Sequence, residues 1–148
     1  MKTAIRIMVM VLLMGCHTDR QLVRHKAKDG GVSLRLRSIG LREGLLWLSF
    51  EVCNRSAFDF RVDWMTFSIR QRRQTRRMAM QEISIEPLFA QQPAVIPGDS
   101  TVILSYGMMP RVPGKQKELV VELRERNGDR RIRMTIGGNE LIKARKEQ

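Results

Sequence analysis

From Val32 onward, apolar and polar side chains alternate with a period of two. Val32, Leu34 and Leu36 alternate with Ser33, Arg35 and Arg37, and a turn follows at Arg42-Glu43-Gly44. Leu46, Leu48, Phe50 and Val52 then mark one face of a second run, with Trp47, Ser49 and Glu51 on the other. Successive side chains of a strand point to opposite faces, so this pattern predicts strands with one face buried. Phe58, Phe60, Val62 and Trp64 form a third run, after which the parity flips and Met65, Phe67 and Ile69 become the apolar set. Such a flip predicts a β-bulge or a change of sheet, because a one-residue slip moves every side chain to the opposite face.

The end of the chain specifies a register. Asn127-Gly128 is a strong hairpin signal, and a type I′ turn there requires positive φ at both central residues. A two-residue loop pairs Leu123 with Ile132, Val121 with Met134 and Leu119 with Ile136 on one face, and Glu122 with Arg133 on the other. It also sets Arg124 against Arg131, the one like-charged pair. Pro87, Pro97-Gly98, Pro110 and Pro113-Gly114 punctuate the middle of the chain, where proline tolerates only edges and turns. Strands are predicted over 101–106 and around Ile83 and Ile85, and no long stretch carries a helical period. About seven to nine short antiparallel strands over residues 32–143 predict an all-β, immunoglobulin-like β-sandwich.

The chain ahead of this body reads as an address. Lys2 and Arg6 precede the uncharged apolar run Ile7–Met14, then come Gly15 and Cys16. The apolar run is far shorter than the roughly 20 residues a spanning helix needs, so residues 1–15 are predicted to be a secretory signal. Leu13-Met14-Gly15-Cys16 also resembles the bacterial lipobox. That resemblance implies diacylglycerol transfer to the Cys16 thiol, cleavage before it and acylation of the new amine. Two or three chains, at about 0.8 kcal/mol per buried methylene, anchor stably. The alternative is an ordinary cleaved signal with a chance cysteine; both readings carry the body across a membrane. Residues 16–31 are polar and predict a flexible tether ending at Gly30-Gly31, and 144–148 predict a basic tail.

Charge changes the picture of the surface. With 27 Lys and Arg against 15 Asp and Glu, the formal net charge is +12. Such a surface favours anionic partners, or is simply a solvated arginine-rich face. Arg70, Arg72, Arg73, Arg76 and Arg77 concentrate this charge between the apolar strand ending at Ile69 and the strand at Ile83. This candidate contact patch is expected on an exposed loop or hairpin tip. Three readings stand: a solvated tip, a dock for acidic protein or lipid phosphate, which arginine binds bidentately, or DNA contact. The few aromatics nearby argue against nucleic acid.

Catalytic chemistry is not expected. His17 and His25 both fall in the predicted tether, which removes Ser-His and Cys-His arrangements from the body and most zinc or iron sites with them. No metal and no cofactor are expected. Cys53 packs as a small apolar residue or is a reactive thiol. Asp59 and Asp63, four positions apart on one strand, would lie about 13 Å apart, too far for paired glycosidase carboxylates. They are expected to face solvent beside Arg61. Gly30-Gly31 and Gly137-Gly138 precede no predicted helix, so no phosphate loop is read there. Trp47, Trp64 and Tyr106 are either core residues or platforms for a stacked ligand.

Several blocks, in order, carry a family resemblance. Asn54-Arg55-Ser56 follows the second strand, Phe67-Ser68-Ile69-Arg70 leads into the basic segment, and Arg76-Arg77 precedes Gln81-Glu82 and Pro87-Leu88. Glu122-Leu123 and Glu125-Arg126-Asn127-Gly128 follow near the end. From about Val32 to Arg145 the chain resembles the C-terminal domain of the TraN family of Bacteroidetes-type conjugative transposons. That family is implicated in the envelope part of the conjugation machine, in a role similar to the outer-membrane-cap proteins of type IV secretion systems. The resemblance implies a lipid-anchored component or accessory at the outer membrane, facing the periplasm. Its partners would be other envelope proteins of the conjugation apparatus, with no catalytic residues and no small-molecule substrate. The alternative is a ligand-binding envelope lipoprotein recognising glycans or anionic lipids.

Overall fold

A computed structural model describes residues 25–72, 82–111 and 114–146. Among them the elements run β1 (Lys26–Asp29), β2 (Val32–Arg42), β3 (Leu45–Asn54), β4 (Phe60–Gln71), β5 (Ile83–Ile85), β6 (Phe89–Gln91), β7 (Val95–Ile96), β8 (Ser100–Met108), β9 (Lys117–Glu125), β10 (Arg131–Gly137) and the helix α1 (Gly138–Lys146). All strand pairings are antiparallel. One sheet has the order β1-β2-β3-β8-β6 and the other β10-β9-β4-β5, with β7 also paired to β4. Set β1 aside, and β2-β3-β8-β6 over β10-β9-β4 is the immunoglobulin arrangement ABED over GFC. The predicted sandwich is therefore the observed one. The short strands β5, β6 and β7, of two or three residues each, take the described total past the expected seven to nine.

The alternation sorts residues as predicted. Val32, Leu34 and Leu36 of β2 and Leu46, Leu48, Phe50 and Val52 of β3 face Met65, Phe67, Ile69, Leu119, Val121 and Leu123 across the core. Phe50, Phe67 and Tyr106 form its aromatic centre, with Phe67 and Tyr106 edge to face at 5.1 Å. The Tyr106 hydroxyl donates to Gln92 at 2.6 Å, and burial pushes its phenol pKa up. The parity flip is a bulge, with the β4–β9 register shifting between Val62 and Met65. Trp64 sits in it and is turned outward, 53% exposed. Phe58 belongs to the loop before β4 rather than to the strand, and is 77% exposed.

The closing hairpin has the predicted register, Ile132 against Leu123, Met134 against Val121 and Ile136 against Leu119, with Arg131 opposite Arg124. Glu122 relieves that like-charged pair by binding Arg124 at 2.5 Å and Arg131 at 3.5 Å. The turn differs from the expected type I′: Asn127 has φ 56°, but Gly128 is outside the positive-φ region.

Both ends of the body depart from expectation. The tether was predicted to run through Gly31, yet Lys26–Asp29 pairs with Val32–Arg35 as β1, turning through Gly30 and Gly31 at positive φ. Edge pairing needs main-chain hydrogen bonds and no apolar face, so hydropathy gives no sign of it. His25 consequently joins the body: its carbonyl accepts from the Leu36 N–H at 3.1 Å, and its ring bonds the Glu140 carboxylate. Gly137-Gly138 does precede a helix, α1, whose backbone also takes in the start of the predicted basic tail. Nine residues with Leu141 as the buried apolar anchor are too few for a helical period to register. Strand β4 continues past Ile69 to Gln71, so Arg70 is a strand residue.

A candidate contact surface at one sheet edge

Two regions stand out on the surface, one at the end of the sandwich and one on a sheet face. At the end, Asn54 closes β3 with no exposed surface. Its amide donates to the carbonyls of Phe58 (2.9 Å) and Ile96 (3.1 Å), and its oxygen accepts from the Ser56 N–H (3.1 Å) and hydroxyl (2.6 Å). Arg130, from the closing hairpin, reaches across to the same loop. Its guanidinium donates to the Ser56 hydroxyl (3.0 Å), the Asp59 carbonyl (2.8 Å) and both Glu125 oxygens, and lies 5.1 Å from the centre of the Phe60 ring. These hydrogen bonds hold the Glu125 carboxyl below its ordinary pKa, against the opposing effect of burial, and raise that of Arg130. The Asn54-Arg55-Ser56 and Glu125-Gly128 blocks, remote in sequence, thus meet in one knot. Its polar side chains are paired with one another.

The second region lies on the outer face of the β1-β2-β3-β8-β6 sheet. Cross-strand pairing aligns Gly40, Trp47, Gly107 and Phe89 in a single row across four strands. With glycine on both sides, the Trp47 indole lies flat across the sheet; a Cβ on Gly107 would come within 2.9 Å of its ring. The ring stacks on Phe89 (5.9 Å between centroids, 22° between planes), and the Arg42 guanidinium lies 4.9 Å from its centre. Its indole N–H is covered and has no hydrogen-bond acceptor. Around this shelf Leu88, Phe89 and Met109 are 59%, 56% and 57% exposed. Phe89 belongs to β6, which ends the sheet and has β8 on one side and, among the described residues, no strand on the other. Apolar surface gathered in this way makes the shelf a candidate contact surface.

The other outer face is different in kind. Arg70 and Glu118 pair at 2.6 Å, Arg124 and Arg131 share Glu122, and Arg133 lies 3.8 Å from Glu82. Of the predicted arginine patch, Arg70 is thus committed to Glu118, and Arg72 is exposed just beyond β4, its N–H donating to the Gln116 carbonyl. Arg73, Arg76 and Arg77 lie outside the described residues, as does Cys16. Asp63 pairs with Arg126 at 3.5 Å, and Asp59 accepts from the Gly98 N–H at 3.1 Å. They serve different contacts and do not act as a pair.

Of the three suggested platforms, Tyr106 is core, Trp64 is open to solvent, and Trp47 forms the shelf. Cys53 is half-buried on the outer face opposite Thr101, whose hydrogen bond lowers the thiol pKa. Among the described residues no group of three or more His, Cys, Asp and Glu could hold a metal, and no helix is long and apolar enough to cross a membrane. Sequence reasoning missed Phe89, Leu88 and Met109. The one available signal was Trp47 on the polar side of an alternating strand. A family model described as "Domain of unknown function (DUF4138)" matches residues 6–146. No curated protein matches the chain.

Proposed function

The chain belongs to the DUF4138 family, and for this member we propose the role of a lipid-anchored envelope component of a conjugative transfer apparatus, working by protein–protein contact. The carrying observation is the Trp47–Phe89 shelf: a stacked aromatic pair with an apolar surround, at the terminal strand of a sheet. Surfaces of this composition serve recognition, since buried aromatics and arginine dominate interface energetics. The resemblance to the TraN family supplies the setting, and the lipobox-like Leu13-Met14-Gly15-Cys16 supplies the anchor, with the body held at the outer membrane facing the periplasm. In this role the protein turns over no substrate and uses no metal or cofactor.

Co-isolation tests the proposal. The full-length chain, extracted in detergent from donor cells carrying the transfer genes, should bring down envelope components of the apparatus. In cells fed a labelled fatty acid it should carry the label, and Cys16→Ala should abolish that labelling. Recovery of the chain without any transfer component overturns the role; an unlabelled, soluble chain overturns the anchor.

A further inference from the structure

We infer that β6 is an acceptor edge for an extended, acidic polypeptide strand whose apolar side chain continues the Gly40–Trp47–Gly107–Phe89 row. This deepens the contact-surface reading and rests on it. The row stops at the sheet edge, where β6 has β8 as its neighbour and, among the described residues, no strand on its other side. A strand added there hydrogen-bonds main chain to main chain, and the period of two fixes which of its side chains face the shelf. One residue of the added strand would stand next to Phe89, at the strand spacing of about 4.8 Å. An aromatic or branched side chain at that position would extend the Trp47–Phe89 stack and cover Leu88 or Met109. Such cross-strand apolar pairs are the stabilising unit of a sheet.

The acidic character follows from the net charge. Near the shelf Arg42, which lies over the Trp47 ring, and Arg111 are exposed, and so are Glu43 and Glu86. The chain as a whole carries +12, which attracts an acidic partner over a distance and repels a basic one. The uncovered shelf is also unlike the other edges of the fold. The β1 edge lies against β10, where the Arg131 N–H donates to Asp29 at 2.8 Å. Strand β5 likewise ends its sheet among the described residues, but the face beside it is ion-paired, with Glu82 bonded to Ser68.

The test uses the full-length protein in detergent with Trp64→Phe as background, so that Trp47 is the remaining tryptophan. The probe is a synthetic seven-residue peptide, Asp-Val-Glu-Phe-Glu-Val-Asp. Two variants accompany it, one with lysine at each acidic position and one with alternate backbone nitrogens methylated. The acidic peptide should perturb Trp47 fluorescence saturably, and the lysine and N-methyl peptides should bind at least about tenfold more weakly. Phe89→Glu should lose binding by about tenfold or more, while Phe89→Tyr stays within about threefold of the parent. Equal binding of the N-methyl peptide, equal binding of the lysine peptide, indifference to Phe89→Glu, or no binding of the acidic peptide each overturns the inference. The two readings fail separately. If Phe89→Glu still co-isolates with the transfer apparatus, contact is made elsewhere and the edge is not its site. If the wild-type chain co-isolates with nothing while the peptide binds, the edge stands and the assignment to conjugation falls.

Discussion

The knot at Asn54 and the shelf at Trp47 are both built on β3, yet they solve opposite problems. In the knot, polar groups from two loops satisfy one another: Asn54, Ser56, Glu125 and Arg130 leave little for a partner to bind. On the shelf, aromatic and aliphatic surface is exposed beside a sheet edge that no further described strand pairs, and a covered indole N–H has no acceptor. A self-satisfied polar cluster holds the fold in one arrangement; an exposed apolar surface is a standing cost that the proposed partner would remove. The difference separates residues needed to fold from those available to bind, and substitutions at the two places should therefore act on different observables.

The largest effect on stability is expected at the knot. Asn54→Ala strands the carbonyl of Ile96 and the N–H of Ser56, and should cost about 3 kcal/mol or more, lowering Tm by about 10 °C. Replacing Asn127-Gly128 by Val-Val forces a β-branched residue to positive φ and drives a Cβ into the Glu125 carboxylate, at a cost of about 2 kcal/mol by denaturant unfolding. Glu125→Gln should cost about 1–2 kcal/mol at neutral pH. Its pH dependence carries the sign: the folded pKa of Glu125 is lowered, so its contribution is complete above the ordinary carboxylate pKa and is lost as pH falls through the folded value. Acidification below about pH 5 should therefore cost the wild type more stability than Glu125→Gln, and the two unfolding curves should converge. Phe89→Glu should shift stability by about 0.5 kcal/mol or less, because the side chain is already largely in solvent, while it removes binding at the shelf. Loss of binding in Asn54→Ala at temperatures where it remains folded would erase the distinction.

How much of this was legible depended on whether information was local. The closing hairpin could be read residue by residue, because the apolar faces of Leu119–Leu123 and Ile132–Ile136 admit one register. The bulge was legible because the parity of Val62 and Met65 cannot be reconciled without it. Strand β1 was not, since Lys26–Asp29 has almost no apolar content and is held by edge hydrogen bonds. Helix α1 escaped because it is short and anchored by Leu141. The shelf was the least legible of all. Trp47, Gly107 and Phe89 lie on three strands distant in sequence, and only the register of β3, β8 and β6 brings them into one row. Conversely, the arginine run was conspicuous in the sequence, yet Arg70 turned out to be engaged with Glu118.

Site-specific photo-crosslinking in donor cells tests the central claim most directly. A photoreactive phenylalanine analogue placed at position 89 should form an adduct with an envelope component of the transfer apparatus. The same analogue at Thr66, exposed on the ion-paired face, should form none. Adducts from position 66 with none from position 89 would contradict the account.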